Sequence, residues 1–188
     1  KKGQKKKPIF ISRNDLQLVL EKTQSEKMKN IFLFAFNTGC RLSEITNLRW
    51  KNIDLNNLTI TIGDDLFTTK NEKQRMIPIS KELIETLTKT RKSNTAINHY
   101  VFGKTKNFPF RSEYVSRNFK KASREAKLKE EVHFHTLRHS FASNLAIRGV
   151  PIIVIKELLG HSSIVTTEIY SHTNLQSLQV AIKQLDVS

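Results

Sequence analysis

The chain has 188 residues, enough for one substantial hydrophobic core and too few for two ordinary domains. Lysine and arginine outnumber aspartate and glutamate by 32 to 17, and a hydrophobic share of 38% argues against a disordered chain. A single cysteine excludes an intrachain disulfide, and no apolar run approaches the roughly 20 residues of a membrane-spanning helix. The net charge of +15 predicts a polyanionic partner, and nucleic acid fits best because its closely spaced phosphates reward many basic groups at once.

The first residues differ in composition from the rest. The opening KKGQKKKP has five lysines and no apolar side chain, so 1–11 is predicted to be a basic tail or an interdomain linker. The remaining residues, 12–188, are predicted to form one domain. A chain that begins in a linker is expected to be the C-terminal part of a longer protein.

Helix signals dominate the N-terminal third of this domain. Ser12 is a suitable N-cap for a helix ending near Lys22, with Asp15 placed to complete a capping box. A second predicted helix, EKMKNIFLFAFNT, ends at Gly39. RLSEITNL begins a third helix directly after it, and WKNID leaves that helix.

The pattern changes at Leu58. The short segments LTITI, LFTT and QRMIPI are rich in threonine, isoleucine and phenylalanine, which predicts a small antiparallel sheet of three strands. Ser80 is expected to cap a helix that ends near Arg91, and 100–102 to form a brief strand.

The remainder is predicted to be helical. A basic helix covers 112–128, and further helices cover 134–149, the segment PIIVIKELLG, and SIVTTEIY. A closing amphipathic helix, 175–185, carries Leu175, Leu178, Ile182 and Leu185 on one stripe. The predicted fold class is therefore mixed α+β, mainly α-helical with a small antiparallel three-stranded sheet.

The helix over 134–149 combines an apolar stripe with a cluster of basic residues. Helical geometry places the apolar side chains together, with the basic ones in the adjoining sector. The stripe is Phe134, Leu137, Phe141 and Leu145, and the cluster is His135, Arg138 and His139. A polar helix edge is ordinarily solvated surface, so this helix alone does not define a site.

Arg41 breaks a local rule, because a cation at a helix start opposes the helix dipole. A phosphate docked there would reverse the argument, since free N–H groups and the guanidinium would then act together. Glu44, one turn along, is placed to orient Arg41. An ordinary surface pair at this spacing remains an equal alternative.

Other candidates also have ordinary explanations when taken singly. Lys70 lies near a hairpin turn, where lysine usually serves solubility, and Lys73 is equally eligible. His161 follows a glycine between two helices, and Tyr170 near a helix end is typical of packing.

Taken together, the motifs TGCRLSE, TTKNEKQRMIP, HTLRHSFA and LLGHSSIVTTEIYSH resemble, in order and spacing, the catalytic domain of the tyrosine recombinases. This is the integrase family of phages, transposons and Xer-type chromosome resolvers. The resemblance extends from about Ser12 to Leu185. Family members usually carry a helical core-binding domain ahead of this one, and we expect that domain to be absent from this chain.

The resemblance implies roles for particular residues. Tyr170 matches the nucleophile, Glu44 the acidic residue of the first box, and His139 is assigned a supporting role. The other catalytic residues implied are Arg41, Lys70, His135, Arg138 and His161. The implied activity is site-specific cleavage and rejoining of DNA through a 3′-phosphotyrosyl intermediate, with no metal and no cofactor.

The expected partners are double-stranded DNA and further copies of the chain, in a tetramer on DNA that uses 175–185 as a docking helix. Packing of 175–185 on its own domain is an equal alternative. We expect DNA contacts from Arg117, Lys120, Lys121 and Arg124 on the basic helix and from Lys73, although a solvated positive face would look the same. No membrane association is expected, and the predicted location is the cytoplasm, at the nucleoid.

Three alternatives remain open. A type IB topoisomerase shares this active-site chemistry but relaxes supercoils. A DNA-binding relative without catalytic activity would be expected to lack at least one member of the set. A zinc site at His133, His135 and His139 lacks a convincing fourth ligand.

Overall fold

The computed structural model describes residues 8–63, 74–91 and 95–170. The helices in these ranges are α1 (Arg13–Lys22), α2 (Glu26–Thr38), α3 (Leu42–Asn47), α4 (Lys81–Thr90), α5 (Ser112–Glu125), α6 (His135–Ile147) and α7 (Ile152–Leu159). The strands are β1 (Ile53–Asp54), β2 (Thr59–Ile62) and β3 (Arg75–Pro78). This confirms the predicted fold class.

The helix ends follow the predicted capping residues. Ser12 and Asp15 form a reciprocal capping box at the start of α1. The Ser80 side chain accepts a hydrogen bond from the Leu83 N–H at the start of α4. Gly39 ends α2 in the left-handed conformation, with φ of 65°.

The main core surrounds α2, which packs against α4, α5 and α6. Phe32 of α2 is fully buried and meets Phe119 of α5 and Phe134 edge-on, with ring centroids 5.1 and 6.1 Å apart. These contacts hold α5 and α6 on one side of α2. The N-terminal end of α6, which carries its basic residues, is therefore packed firmly against the core.

The sheet is antiparallel in the order β1-β2-β3, with Ile60 opposite both Ile53 and Ile77. The predicted strands LTITI and QRMIPI are present as β2 and β3, whereas LFTT lies outside the described residues. Residues Ile53–Asp54, which we expected only to lead out of a helix, form β1. The strand ends in a turn in which the Asp54 carboxylate accepts hydrogen bonds of 2.9 Å from the backbone N–H groups of Asn56 and Asn57.

Two predictions of local structure were wrong. Residues 100–102 form a turn, and only Tyr100 makes a β-bridge, to Arg49. The segment SIVTTEIY forms two 3-10 turns, Ile164–Thr166 and Glu168–Tyr170, rather than one helix. Consecutive β-branched residues at 164–167 disfavour a continuous α-helix.

A second, smaller core joins α6, α7 and the last turn. Its fully buried members are Ala142, Ile155, Leu159 and Tyr170. Phe141 and Leu145, expected in the buried stripe of α6, are half-buried against this second core, whereas Phe134 and Leu137 are buried in the main one. The predicted helix 175–185 lies outside the described residues. Among the described helices, none has the length and apolarity required to cross a bilayer.

Candidate active site

The junction between α2 and α3 positions Arg41. Gly39 must be glycine here, because a Cβ would lie 2.5 Å from the Phe141 ring and 2.8 Å from Leu159. This close approach brings α6 and α7 against the end of α2. Arg41 follows two residues later as the N-cap of α3, with its side chain one-third exposed.

Arg138 occupies the space between these elements. Its guanidinium donates 2.7 Å and 2.8 Å hydrogen bonds to the carbonyl oxygens of Gly39 and Leu159. Helical geometry placed Arg138 in the sector beside the apolar stripe, but its side chain turns into the protein interior and the residue is 3% exposed. Burial, together with the charge of Arg41, lowers the pKa of Arg138 to about 10, so it still carries its charge at neutral pH.

The two histidines of α6 form a line of contacts that ends at Tyr170. The rings of His135 and His139 meet edge-on with centroids 4.7 Å apart. Nδ1 of His139 lies 2.5 Å from the hydroxyl of Tyr170, which is 2% exposed. The resemblance assigned His139 only a supporting role, whereas His139 makes the direct contact with Tyr170.

The pKa shifts leave both partners of this hydrogen bond neutral at neutral pH. Burial raises the pKa of Tyr170, against the opposing charge of Arg138, so the phenol keeps its proton at neutral pH. Burial and the neighbouring His135 lower the pKa of His139 to about 4, so its ring is neutral. The Tyr170 hydroxyl donates to Nδ1 of His139 when the ring carries its proton on Nε2.

His161 enters the cluster from the end of α7. Gly160 takes the left-handed conformation there, with φ of 69°, which turns the chain sharply. Nδ1 of His161 lies 2.9 Å from the Thr167 hydroxyl, in the segment that leads to Tyr170. Burial, followed by the charges of Arg138 and Arg41, lowers the pKa of His161 to about 4.

Glu44 balances part of this positive charge. Its carboxylate accepts a 2.7 Å hydrogen bond from the Arg41 backbone N–H and lies 3.4 Å from the Arg41 guanidinium, as the predicted orienting role requires. Its closest side-chain partner is Arg75 of β3, at 2.8 and 2.9 Å in a bidentate pair. Burial raises the pKa of Glu44, but its bonds with Arg75 and Arg41 outweigh burial and hold the pKa below its usual value.

Arg75 was not among the site residues predicted from the sequence. It lies in the quoted motif QRMIPI, and a charged residue next to strand residues is the signal that could have raised it. Its partners, 31 and 83 residues away, could not be deduced from spacing.

Positive charge exceeds negative charge within the described cluster. Arg41, Arg75 and Arg138 surround one carboxylate, that of Glu44. A cavity of about 170 Å³ opens beside them and is lined by His135 and Arg138. The excess of positive charge favours an anion in this cavity. The nearby histidines, neutral at neutral pH, can supply further hydrogen-bond donors to it.

The basic residues predicted on α5 have unequal surroundings. Arg124 forms an ion pair of 2.5 Å with Glu130, and Lys120 bonds Glu130 as well. The Arg117 side chain contacts the backbone of its own helix, and Lys121 lies 3.9 Å from Glu125. Hydrogen bonds from Arg124 and then Lys120 hold the pKa of Glu130 at about 2.

Lys70 and Lys73 lie outside the described residues, so their predicted roles stay predictions. In the described part of the chain, no group of three or more His, Cys, Asp or Glu side chains is arranged to hold a metal ion.

The lowered pKa values predict that acid destabilises the fold. His139 and His161 ionise near 6.5 when unfolded and near 4 when folded, so the unfolded chain binds more protons between these values. We expect the free energy of unfolding, measured by urea titration, to fall as the pH is lowered from 7 through 6.5 toward 4. His139→Gln should flatten this dependence, whereas His99→Gln, remote from the cluster, should not. An equal slope in both variants would contradict the prediction.

Comparison with known proteins places the chain in a family. The model of the phage integrase family matches residues 10–177. The chain is 30% identical to the tyrosine recombinase XerC of Pediococcus pentosaceus, over 98% of this chain and 64% of that protein. It is 31% identical to the tyrosine recombinase XerA of Pyrococcus furiosus, over 96% of this chain and 63% of that protein.

Solved structures agree with this placement. A crystal structure of XerA recombinase superposes with a TM-score of 0.75 at 26% identity, over 98% of this chain and 66% of that one. XerH recombinase bound to its difH substrate, in a pre-cleavage complex, superposes with a TM-score of 0.72 at 26% identity, over 95% of this chain and 55% of that one. The catalytic domain of bacteriophage HP1 integrase superposes with a TM-score of 0.68 at 29% identity, over 94% of each chain.

The mainly helical fold with its small antiparallel sheet, together with these structural neighbours, is that of a tyrosine recombinase catalytic domain. The chain belongs to the phage integrase family, and it spans less than two thirds of the length of the first relatives named above.

Proposed function

We propose that the chain cleaves and rejoins double-stranded DNA at specific sites by metal-free transesterification. The observation that carries this proposal is the Tyr170 hydroxyl held against α6 by His139, within the field of the buried Arg138. A phenol next to fixed guanidinium groups has the parts of a nucleophilic phosphoryl-transfer site.

In the proposed step, the Tyr170 oxygen attacks the scissile phosphorus and the bond to the 5′ oxygen breaks. The phenolic proton passes to a neighbouring imidazole, His139 by the observed contact or His135 by the family resemblance. The 5′ oxygen leaves as a hydroxyl after taking a proton, for which Lys70 remains the candidate donor. A 5′-hydroxyl can reverse the step, because the 3′-phosphotyrosyl bond conserves the energy of the phosphodiester.

Arg41 and Arg138 would stabilise the charge that grows on the non-bridging oxygens. Arg41 is one-third exposed, which suits a residue that meets the phosphate directly. Arg138 is fixed by two backbone carbonyls, so its remaining donors are held in place before the substrate arrives. His161 would donate a hydrogen bond to the phosphate as a neutral ring.

Tyr170 needs a movement or a deep approach of the substrate to react. It is 2% exposed, so its oxygen meets a phosphate only if the Glu168–Tyr170 turn shifts or the backbone of DNA enters beside α6. Short 3-10 turns, with few hydrogen bonds, suit such a shift.

We further propose that α5 contributes to DNA binding and that Glu130 restrains it. Glu130→Gln should release Arg124 and remove the acidic partner of Lys120, which stays bonded to the carbonyl oxygens of Glu130 and Val132, and it should thereby strengthen DNA binding. Each released cation that reaches a phosphate should steepen the slope of log affinity against log salt by about 0.9. Fluorescence anisotropy with a duplex oligonucleotide at several salt concentrations measures this. The matched control is Glu85→Gln, an exposed acid on α4, and an equal gain there would indicate net charge alone.

Strand exchange between two sites requires several copies of the enzyme. We propose a tetramer on DNA in which 175–185 docks on a neighbouring copy, acting at the nucleoid in the cytoplasm. Size measurement of the chain with and without its DNA site tests this assembly.

The proposal is tested by covalent capture. The chain is incubated with a library of nicked duplexes of randomised sequence, denatured in detergent, and analysed for DNA that stays attached to protein. The expected result is an adduct enriched in one sequence, in buffer containing a chelator. Adducts with no sequence enrichment and uniform relaxation of plasmid supercoils would instead indicate a topoisomerase, and the absence of adducts would refute the proposal.

A further inference from the structure

Arg75 joins the segments that carry the active-site cluster. From the start of β3 its guanidinium reaches Glu44 on α3 in a bidentate pair of 2.8 and 2.9 Å. Its Nε donates a 2.9 Å hydrogen bond to the Leu158 carbonyl at the end of α7. One side chain thus connects the strand, the helix that begins after Arg41, and the helix that ends before His161.

Arg75 is not placed to bind a substrate itself. Its side chain is 8% exposed, and its three nitrogens point at protein acceptors. Any effect on catalysis must therefore pass through the residues it holds.

The first of these residues is Glu44, which Arg75 and Arg41 share. Arg75 holds the carboxylate through two short bonds, whereas the Arg41 guanidinium approaches it at 3.4 Å. A bidentate pair is both stronger and more directional than a single long contact. Without Arg75, the buried carboxylate would be expected to pair more closely with Arg41, reducing the positive charge that Arg41 offers to an anion.

The second feature that Arg75 holds in place is the C-terminal end of α7. Two arginines cap neighbouring carbonyls there, Arg75 that of Leu158 and Arg138 that of Leu159. The next residue, Gly160, is packed against Arg75 so closely that a Cβ would lie 2.8 Å from its guanidinium. The position of His161, one residue further, therefore depends on Arg75.

We propose that Arg75 is a positioning residue of this site, which keeps Glu44 from pairing fully with Arg41 and fixes the turn that carries His161. The inference rests on the proposed strand transfer and adds to it a residue that contacts neither substrate nor nucleophile. It predicts that Glu44 causes part of the loss of strand-transfer rate in a variant that lacks Arg75.

The experiment uses adduct formation in a single turnover on the captured duplex. Arg75→Met should slow the step about 100-fold, the scale expected when catalytic groups are misplaced by about 1 Å. Adding Glu44→Gln to Arg75→Met should recover at least about tenfold of that loss, because a neutral amide no longer competes for Arg41 and a buried pair has been replaced by neutral groups. DNA affinity should stay within about threefold of the parent value, since phosphate contacts elsewhere dominate it.

The matched control is Arg13→Met, which removes the same charge from an exposed ion pair with Glu82. It should leave the adduct rate unchanged. Arg75→Lys supplies a second variant if Arg75→Met does not fold. It retains the charge but cannot form the bidentate pair and the Leu158 bond together, so it should slow the step by about tenfold.

A measurement without DNA separates this inference from the proposed function. The carboxyl pKa of Glu44, followed by NMR of a selectively labelled chain, should rise in Arg75→Met or Arg75→Lys and stay constant in Arg13→Met. An unchanged Glu44 pKa, an unchanged adduct rate in both Arg75 variants, or no recovery on adding Glu44→Gln would overturn the positioning role. A parent chain that forms no adduct refutes strand transfer, while the Glu44 titration still decides whether Arg75 controls that carboxylate.

Discussion

Replacing Tyr170 with phenylalanine is expected to abolish the covalent DNA adduct while leaving duplex binding within about twofold of the parent value, because the change removes one oxygen and no charge. The loss should be at least about 1,000-fold, since the substitution removes the attacking atom itself. Stability should fall by only about 1 kcal/mol, the net value of one hydrogen bond, that to His139.

The matched control is Tyr100→Phe. Its hydroxyl accepts a 2.9 Å hydrogen bond from Arg49, so this variant also loses one phenol contact, but in a different part of the molecule. Its adduct yield in denaturing gel electrophoresis should equal that of the parent. Adduct formation by Tyr170→Phe at the parent rate would exclude Tyr170 as the nucleophile.

The order of elements followed from local signals. Capping at Ser12 and Ser80 and the left-handed Gly39 each depend on neighbours within a few residues, so these helix ends could be predicted. The β1 strand could not, because two residues carry no periodicity. It exists only through its pairing with β2, a contact that local propensity does not encode.

In the candidate site, likewise, the identity of the residues could be predicted from the sequence but their contacts could not. Arg41, His135, Arg138, His161 and Tyr170 were identified from motif order, and the described structure brings all five into one cluster with Glu44 and His139. What they touch was less predictable. Helical periodicity placed Arg138 at the edge of a stripe, but its long side chain turns inward to carbonyls 99 and 21 residues away.

Hydrogen bonds explain how the described cluster can concentrate positive charge in a buried place. Burial disfavours each guanidinium, yet Glu44 and the carbonyls of Gly39 and Leu159 offset that cost with hydrogen bonds. The cluster is thereby organised before any phosphate arrives. The two arginines proposed to meet the substrate nevertheless differ in their surroundings, and this difference can be measured.

Arg41→Ala and Arg138→Ala should both slow adduct formation by about 100- to 1,000-fold, the usual cost of removing one donor to a developing oxyanion. Only Arg138→Ala should also destabilise the fold strongly. It leaves the carbonyls of Gly39 and Leu159 without their guanidinium partner in a buried place, which we expect to cost about 2–4 kcal/mol in urea unfolding. The Arg41 pair with Glu44 is one-third exposed on the arginine side, so its loss should cost less than about 1 kcal/mol.

The comparison of rate with affinity decides what these arginines do. Charge that develops only in the transition state predicts a loss of rate far larger than the loss of DNA affinity in each variant. Equal losses in adduct rate and in duplex affinity would identify simple phosphate anchors. Arg138→Lys separates charge from geometry, because an ammonium group retains the charge but cannot span both carbonyls. A lysine variant that matched the parent in stability and rate would show that the forked contact of Arg138 with α2 and α7 is dispensable, which the buried geometry argues against.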